Sequence, residues 1–207
     1  EIVSAEEREA MNRAPFNLEN YRDDLGVADV WGEEGYTTLE RASIRPSLDA
    51  NGIWGGYTAD GAKTVLPSSA HDKISMRLVP HQDPQKITDL FRNHFESIAP
   101  KSVSVKVTPH HFAEPAVTSL NSAGYRAASK AMEETFGKAP IPVRSGGSIP
   151  IVALFKQTLG LDTILMGFGL DSNHIHSPNE NFGLFNFYKG IETIPRFYRH
   201  YAELMKG

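Results

Sequence analysis

The stretch Lys73-Ile74-Ser75-Met76-Arg77-Leu78-Val79 decides the fold predicted for the first half of this chain. Its apolar and polar side chains alternate with a period of two, which is typical of a half-buried β-strand. Ile74, Met76 and Leu78 are predicted to face a core. Arg77 lies on the opposite face, where its guanidinium is either a solvated edge group or a fork of donors for a carboxylate or phosphate.

A helix and a second strand are predicted directly after this strand. Asp83 supplies an N-cap and Pro84 the first helical residue, and apolar side chains recur at helical spacing until Pro100. Residues 103–107 then alternate valine with polar residues, as a strand does. Because strand, helix and strand in this order form a βαβ unit, the pattern favours a layered α/β fold.

The other elements follow from capping signals and periodicity. Ser4 and Glu7 form a capping-box pattern that predicts a short first helix. Residues 17–34 hold no clear period, and residues 36–67 are predicted as short extended pieces. A domain boundary is placed near residue 114. The elements predicted beyond it are a helix over residues 125–136, a helix over residues 150–159, a strand buried on both faces over residues 163–168, and an aromatic-rich helix over residues 181–205 that Pro195 kinks or breaks.

The composition excludes several classes of protein. The 207 residues are 40% hydrophobic, so a sizeable core is expected. The formal net charge is -4, so no basic face that would bind nucleic acid or a membrane surface is expected. No apolar run approaches the roughly 20 residues of a membrane span. Cysteine is absent, which is compatible with a cytoplasmic location and leaves His, Asp and Glu to bind any metal.

The segment Asn173-His174-Ile175-His176-Ser177-Pro178-Asn179-Glu180 is a candidate metal-binding loop. Imidazole is a common metal ligand, and the segment follows a predicted buried strand, where α/β proteins place functional loops. In a loop, only one of His174 and His176 need reach a metal. Glu180 is predicted either to orient an imidazole or to favour the start of the next helix.

The segment Arg144-Ser145-Gly146-Gly147-Ser148-Ile149-Pro150 is a candidate anion site. Gly146 and Gly147 would let backbone amides approach a ligand, and Ser148 can cap a helix that begins near Pro150. A carboxylate would suit such a nest. The alternative is a capped helix start that binds nothing.

Two further histidine patterns carry less weight. His81 and Asp83 have the His-x-Asp spacing of two-metal hydrolases, but Asp83 is better explained as the N-cap of the predicted helix. His110 and His111 form a loop pair after the predicted second strand. Neither pair predicts a metal site on its own.

Four motifs follow one another along the chain: Gly61-Ala62-Lys63-Thr64-Val65-Leu66-Pro67, Ser75-Met76-Arg77-Leu78-Val79-Pro80, Gly146-Gly147-Ser148-Ile149-Pro150 and His176-Ser177-Pro178-Asn179-Glu180. In order and spacing they resemble the C-terminal half of M20-family metallopeptidases, and the carnosinase-type dipeptidases look nearest. The match runs from about residue 47 to the end of the chain. The first 45 residues align only loosely.

The resemblance implies a two-domain α/β fold. Residues 1–114 would form most of a ferredoxin-like α/β sandwich lid, which mediates homodimerisation and whose N-terminal part is missing here. Residues 115–207 would form the C-terminal part of a zinc-peptidase-like αβα catalytic domain. In such dimers, some lid residues serve the partner's active site.

The resemblance also implies roles for individual residues. His176 matches the final metal-binding histidine of a site with two divalent ions, zinc or alternatively manganese or cobalt, which activate a bridging water for amide hydrolysis. Arg77 and the glycine amides would hold the C-terminal carboxylate of a dipeptide or an N-acyl amino acid. The residues that match substrate-binding positions are Thr64, Arg77, His111, Gly146, Gly147 and Ser148.

Several parts of the family's active site have no counterpart in this sequence. The N-terminal metal ligands and the glutamate pair with the general base are expected upstream of Glu1, so no catalytic residue is assigned within the chain. One histidine cannot hold a catalytic zinc, which takes about three protein ligands. The chain alone is therefore expected to be inactive and to bind metal weakly or not at all. Ser145 also stands where the family often has glutamate, which affects a substrate contact.

Two other functions are compatible with the sequence. The chain could be a binding or assembly module that dimerises through the lid. It could also be a serine hydrolase that uses Ser148, His176 and Asp171, although the Gly-x-Ser-x-Gly elbow of such enzymes is absent. The metallopeptidase is the function that the four motifs favour.

Overall fold

The computed structural model of the chain describes residues 3–146 and 149–206. Gly147 and Ser148, which are predicted to bind substrate, lie outside the described residues. A short 3-10 helix spans Asp171–Asn173. The other elements, in chain order, are α1 Ala5–Asn12, α2 Leu18–Leu25, α3 Thr38–Ser43, β1 Ser47–Gly55, β2 Ala70–Arg77, α4 Pro84–Ile98, α5 Ala123–Phe136, α6 Pro150–Leu159 and α7 Leu184–Leu204.

The chain divides into two compact units. Both strands lie in unit 1, whereas the described part of unit 2 consists of helices and irregular segments. The fold is therefore α/β with a small two-stranded sheet. The described residues of unit 1 come from Glu1–Arg8, Pro15–Ala116 and Arg144–Pro150, and those of unit 2 from Glu9–Ala14, Val117–Val143 and Ile151–Gly207.

Unit 1 contains an antiparallel hairpin of β1 and β2, whose register pairs Ser47 with Arg77. The alternation predicted for β2 is confirmed. Ile74 and Met76 are half-buried and Leu78 is buried, whereas Arg77 is exposed. A slip of one residue would exchange the two faces of the strand, so burial of the apolar side chains fixes the side on which the guanidinium lies.

α4 begins and ends where the sequence predicts. The Asp83 carboxylate accepts a hydrogen bond from the Lys86 amide at 2.7 Å, and Pro84 occupies the first turn. The carboxylate satisfies one of the amides that a helix start leaves without a partner. No residue of α4 is buried against the described part of the chain, and Leu90 and Ile98 are 56% and 60% exposed. The apolar face of α4 is thus formed but uncovered.

Unit 2 is held together by the packing of α5 on α7. α5 presents small side chains at this contact, and Ala127 and Ala131 are 0% exposed. The Ser122 hydroxyl accepts a hydrogen bond from the Tyr125 amide at 3.1 Å, and Gly137 ends the helix in the left-handed conformation. The predicted helix and its terminating glycine are therefore confirmed.

Charged groups join the C-terminal end of α5 to α7. The Glu134 carboxylate accepts a hydrogen bond from Arg199 Nη2 at 2.6 Å and lies 2.9 Å from His200 Nε2. Burial by itself raises the pKa of the Glu134 carboxyl. The His200 hydrogen bond and the Arg199 charge outweigh this effect, so the pKa lies below its ordinary value.

α7 is one continuous helix of 21 residues, although Pro195 lies inside it. A proline ring removes one backbone donor from a helix interior, and neighbouring contacts must hold the helix together. Two residues before the proline, the buried Thr193 hydroxyl donates to the Lys189 carbonyl at 2.7 Å within the same helix. No helix in the described chain has the length and apolar character that a membrane crossing requires.

Two predicted strands are wrong. Residues 103–107 and residues 163–168 are described and belong to no strand. A strand needs a neighbour for its backbone hydrogen bonds, and the described chain places no such neighbour beside either segment. The predicted βαβ unit is consequently absent from the described residues. Leu165 is 63% exposed, so residues 163–168 are not buried on both faces either.

The apolar patterns also miss α2 and α3. α2 has no buried residue, and its N-cap is Asn17, whose side chain accepts a hydrogen bond from the Asn20 amide at 2.8 Å. α3 has six residues and begins with a capping box between Thr37 and Glu40. Local capping contacts, instead of an apolar period, define where both helices start.

Candidate functional site

Arg77 is the last residue of β2, and its side chain is exposed. The half-buried Met76 and the buried Leu78 hold the backbone on either side of it. No described residue accepts a hydrogen bond from its guanidinium or forms an ion pair with it. A guanidinium has five N–H donors in a planar fork, so this group is available to bind an anion.

Gly146 lies directly against Arg77. Its φ of 66° is in the left-handed region. A Cβ added at this residue would lie 2.7 Å from the Arg77 Cδ and 3.3 Å from its Nη1. Glycine adopts this conformation without strain and leaves room for the arginine side chain. Two of the predicted substrate-binding residues are therefore in contact.

The Gly146 backbone is held by α3. Its amide donates to the Ser43 carbonyl at 3.2 Å, and Ser43 is buried at the last position of α3. Since this amide already has an acceptor, Gly146 provides space for Arg77 instead of a donor for a ligand. The position of the Gly146 backbone therefore depends on the position of α3.

A partly buried ion pair between Arg8 and Glu40 anchors α3, and the sequence motifs do not include it. Glu40 is 0% exposed, and Arg8 donates to its two carboxylate oxygens at 2.6 and 2.9 Å. The Thr37 amide also donates to this carboxylate, at 2.7 Å. The hydrogen bond from Arg8 holds the pKa of Glu40 below its ordinary value, against the opposing effect of burial. The Thr-x-x-Glu pattern of a capping box is the signal that could have found it.

Thr64 and His111 are exposed. Thr64 lies in the loop between β1 and β2, and His111 lies in the irregular segment that follows α4. Within the described residues, no hydrogen bond or ion pair joins either side chain to Arg77. Their predicted roles in substrate binding stay predictions.

His176 lies in a tight loop after the 3-10 helix, and its side chain is exposed. Its φ is 63°, and the φ values of His174 and Asn179 are 52° and 65°. Left-handed backbone is uncommon outside glycine, although histidine and asparagine adopt it more often than most residues, and active sites and ligand sites are among the places where it concentrates. The geometry of the loop is therefore compatible with a functional role for His176.

Glu180 contacts the backbone of this loop. Its carboxylate accepts a hydrogen bond from the His176 amide at 3.4 Å. α7 begins only at Leu184, so Glu180 lies outside its first turn. The prediction that Glu180 favours a helix start is wrong, because its carboxylate contacts this turn and lies outside the first turn of α7. Its predicted role in orienting an imidazole stays a prediction.

Asn173 organises the same loop, and the sequence motifs give it no role. It is 5% exposed, and its side-chain oxygen accepts from the Leu170 amide at 2.6 Å. Its side-chain nitrogen donates to the Asn181 side chain at 3.1 Å, and its carbonyl accepts from the Asn181 amide at 3.0 Å. Two asparagines thus close the loop that presents His176. A buried amide in a polar segment is hard to distinguish from a solvated one by sequence alone.

The described residues do not complete a metal site. No group of three or more His, Asp or Glu side chains lies together in the described ranges. A catalytic zinc takes about three protein ligands plus a water. A catalytic metal bound at His176 would therefore need further ligands from outside the described residues.

The competing sequence candidates gain no support. Asp83 caps α4, as the sequence predicts. Among the described residues, no hydrogen bond joins the Asp171 carboxylate to the His176 imidazole. The contact that a Ser-His-Asp triad requires is therefore missing, and Ser148 lies outside the described residues.

Residues 4–200 match the family model described as Peptidase family M20/M25/M40. The Cys-Gly metallodipeptidase of Saccharomyces cerevisiae is 34% identical over 163 residues, which cover 76% of this chain and 34% of the relative. The Beta-Ala-His dipeptidase of Homo sapiens is 27% identical over 205 residues, which cover 98% of this chain and 40% of the relative.

A solved structure gives the same assignment. An M20 family metallo-carboxypeptidase from Sulfolobus solfataricus is similar to this chain with a TM-score of 0.82 at 28% identity, over 97% of this chain and 46% of that one. The chain spans less than half the length of these relatives. Because the family model covers nearly every residue, the chain belongs to peptidase family M20/M25/M40.

Proposed function

We propose that this chain supplies the substrate-carboxylate site and one metal ligand of a metal-dependent dipeptidase. The packing of Arg77 on Gly146 is the observation that carries the proposal, since it presents a guanidinium without an acceptor in the described chain. Two relatives are named as dipeptidases, for Cys-Gly and for Beta-Ala-His. Every dipeptide ends in a carboxylate one residue from the scissile bond, and N-acyl amino acids share that feature.

The role of Arg77 in this proposal is to bind and orient the substrate. A guanidinium can donate two parallel hydrogen bonds to a carboxylate, which fixes direction as well as distance. Orientation of the substrate lowers the entropic part of the barrier to amide hydrolysis. A substrate without the carboxylate leaves the guanidinium unpaired and loses this contribution. Thr64, His111, Gly147 and Ser148 are proposed as further substrate contacts.

His176 is proposed as a ligand of one of two divalent ions, zinc or alternatively manganese or cobalt. Its exposed imidazole, on a loop closed by Asn173, supports this role. The other ligands and the general base would come from residues outside this chain. The 207-residue chain alone is accordingly proposed to be inactive.

The large exposed surface supports a contribution from further polypeptide. The chain exposes 15604 Å². A compact protein of this mass exposes about 9,600 Å², and two separate units of half the mass expose about 11,600 Å² together. Large apolar side chains contribute to this exposed surface, and Leu184 and Phe185 are 71% and 66% exposed. The rest of such an enzyme would cover this surface.

Residues 1–114 are proposed as the lid and residues 115–207 as part of the catalytic domain, with the lid forming a homodimer. The uncovered apolar face of α4 supports such an interface. Light scattering on the purified chain tests the homodimer: the expected mass is twice 22.9 kDa, and a strict monomer contradicts it.

A cytoplasmic location is proposed from the absence of cysteine alone.

Dipeptide hydrolysis by Arg77→Met, in the protein that carries both this chain and the remaining ligands, tests the proposal. kcat/KM is compared for a dipeptide and for its C-terminal amide. We expect a loss of about 1.5–3 kcal/mol, or roughly 10- to 100-fold, for the dipeptide and little change for the amide. Lys73→Met is the matched control, because Lys73 is a cation on the same face of β2. An equal effect on both substrates contradicts the proposal.

A further inference from the structure

We propose that the ion pair between Arg8 and Glu40 is a positioning device for the carboxylate site. It holds Gly146 against Arg77 by way of α3. This inference rests on the proposed function of Arg77. Neither member of the pair contacts the substrate in this scheme, so both are positioning residues and not catalytic ones.

The first step is the attachment of α3. Glu40 is 0% exposed, and Arg8 binds both of its oxygens, at 2.6 and 2.9 Å. Arg8 Nη2 also donates to the Gly35 carbonyl at 2.8 Å, just before the helix. A helix of six residues is too short to be stable by itself, so its orientation depends on contacts such as these.

The second step connects α3 to Gly146. The last carbonyls of a helix have no partner within the helix. At the end of α3, the Ser43 carbonyl accepts a hydrogen bond from the Gly146 amide at 3.2 Å. The Ser43 hydroxyl donates to the Leu39 carbonyl at 2.6 Å and so stays within α3. A displacement of α3 is therefore transmitted to the Gly146 backbone.

The third step is the contact between Gly146 and Arg77. A methyl group at residue 146 would lie 2.7 Å from the Arg77 Cδ, so the arginine side chain would have to move to make room for it. The Gly146 backbone thus forms a wall against which the arginine stem lies. If this wall moves, Arg77 gains rotamers and loses the fixed direction that bidentate binding of a carboxylate requires.

A second ion pair of the same chemistry serves as an internal control. Arg45 donates to both oxygens of Glu33, at 2.7 and 2.8 Å. Arg8 and Arg45 both lie over the Tyr36 ring, at 5.1 and 4.5 Å from its centroid. The Glu33 side chain is 48% exposed and lies outside α3. The two pairs therefore share composition and neighbourhood. The Glu33 backbone also touches α3, because its carbonyl accepts a hydrogen bond from Arg41 Nε at 2.8 Å, but the Glu33 carboxylate, which the control substitution changes, binds Arg45 and no residue within α3.

Hydrogen exchange on the 207-residue chain tests the mechanical part of the inference. The variants are Glu40→Gln and Arg8→Lys, with Glu33→Gln and Arg45→Lys as controls. We expect exchange of the Gly146 amide to become about tenfold faster in Glu40→Gln, to accelerate less in Arg8→Lys, which keeps the charge, and to stay unchanged in the controls. The Ile87 amide, which donates to the Asp83 carbonyl in α4, reports general loosening and is expected to stay unchanged.

Kinetics in the protein that carries the remaining active-site residues test the functional part. Glu40→Gln is expected to lower kcat/KM for a dipeptide about tenfold and to leave kcat/KM for the C-terminal amide nearly unchanged, so the preference for the carboxylate falls. Arg8→Lys keeps the charge and is expected to show a smaller change in the same direction. Glu33→Gln is expected to leave the preference intact.

The outcomes separate the two proposals. If Arg77→Met leaves the preference for the carboxylate intact, the proposed function fails. If Arg77→Met removes the preference but Glu40→Gln changes neither the preference nor the Gly146 exchange, only the positioning role fails. Equal acceleration at Gly146 and Ile87 also overturns it, because general destabilisation then explains the result.

Discussion

Gly146 packs so closely on Arg77 that a Cβ at residue 146 would lie 2.7 Å from the Arg77 Cδ. The two residues are far apart in sequence and meet through tertiary structure within unit 1. The contact gives the exposed guanidinium a rigid support on one side. A donor group that is fixed before the ligand arrives loses less entropy on binding.

Gly146→Ala is expected to impair carboxylate recognition through this contact. The left-handed φ at residue 146 makes any L-residue cost about 1–2 kcal/mol, and the new methyl group also displaces Arg77. We expect lower stability in urea unfolding together with a smaller kcat/KM ratio between a dipeptide and its C-terminal amide.

Gly26→Ala is the matched control for this substitution. Gly26 has a φ of 67°, and an added Cβ would meet no atom within 4 Å. It should lose similar stability and keep the substrate preference. If Gly146→Ala lowers stability only, the contact with Arg77 has no role in recognition.

Protonation of the Glu40 carboxylate at low pH is expected to lower the free energy of unfolding of unit 1. The pKa of this carboxyl is lowered mainly by the Arg8 hydrogen bond, so its stabilising effect is present above the unfolded-state pKa of about 4.3 and is lost as pH falls through the folded pKa. Glu40→Gln should lose about 2 kcal/mol at neutral pH and show a flatter stability profile below pH 4.3. Urea unfolding between pH 7 and pH 3 measures this. If the free energy of unfolding of Glu40→Gln falls with pH as steeply as that of the unmodified protein, other carboxyl groups cause the acid dependence.

Metal binding is expected to depend on His176 and on residues outside this chain. The purified 207-residue chain should hold far less than one zinc per molecule and should not hydrolyse dipeptides. With the remaining ligands present, His176→Ala should reduce metal content and turnover more than the roughly 10- to 100-fold that loss of an outer partner causes. His174→Ala should have a smaller effect. Stoichiometric zinc with dipeptidase activity in the isolated chain would contradict this account.

Local patterns predict those elements that local contacts or an apolar period stabilise. β2 and α4 are examples, because alternation, the Asp83 cap and Pro84 are all visible in the sequence. The alternation also identifies Arg77 as the exposed group on its strand. The motif that contains Gly146 is equally visible, but its contact with Arg77 is not, because sequence spacing carries no information about tertiary proximity.

The wrong and missed elements have a common physical cause. Residues 103–107 and residues 163–168 have the composition of strands, but strand pairing depends on partners that the described chain does not provide. Conversely, Glu40 and Asn173 are buried polar side chains whose importance arises from hydrogen bonds to distant residues or to their own loop. A single sequence does not show whether a strand has a pairing partner, or whether a polar side chain is buried with its hydrogen bonds made.

Nuclear magnetic resonance of the 15N-labelled chain tests the central claim most directly. The Arg77 Nε–H and Gly146 amide signals are followed while glycyl-glycine, or glycyl-glycinamide, is added. Saturable shifts of both signals with glycyl-glycine alone are predicted, whereas the Arg45 Nε–H signal should not move, because Glu33 already binds that group. Equal shifts with both compounds, or no shift at Arg77, would contradict the assignment of this residue as the carboxylate-binding group.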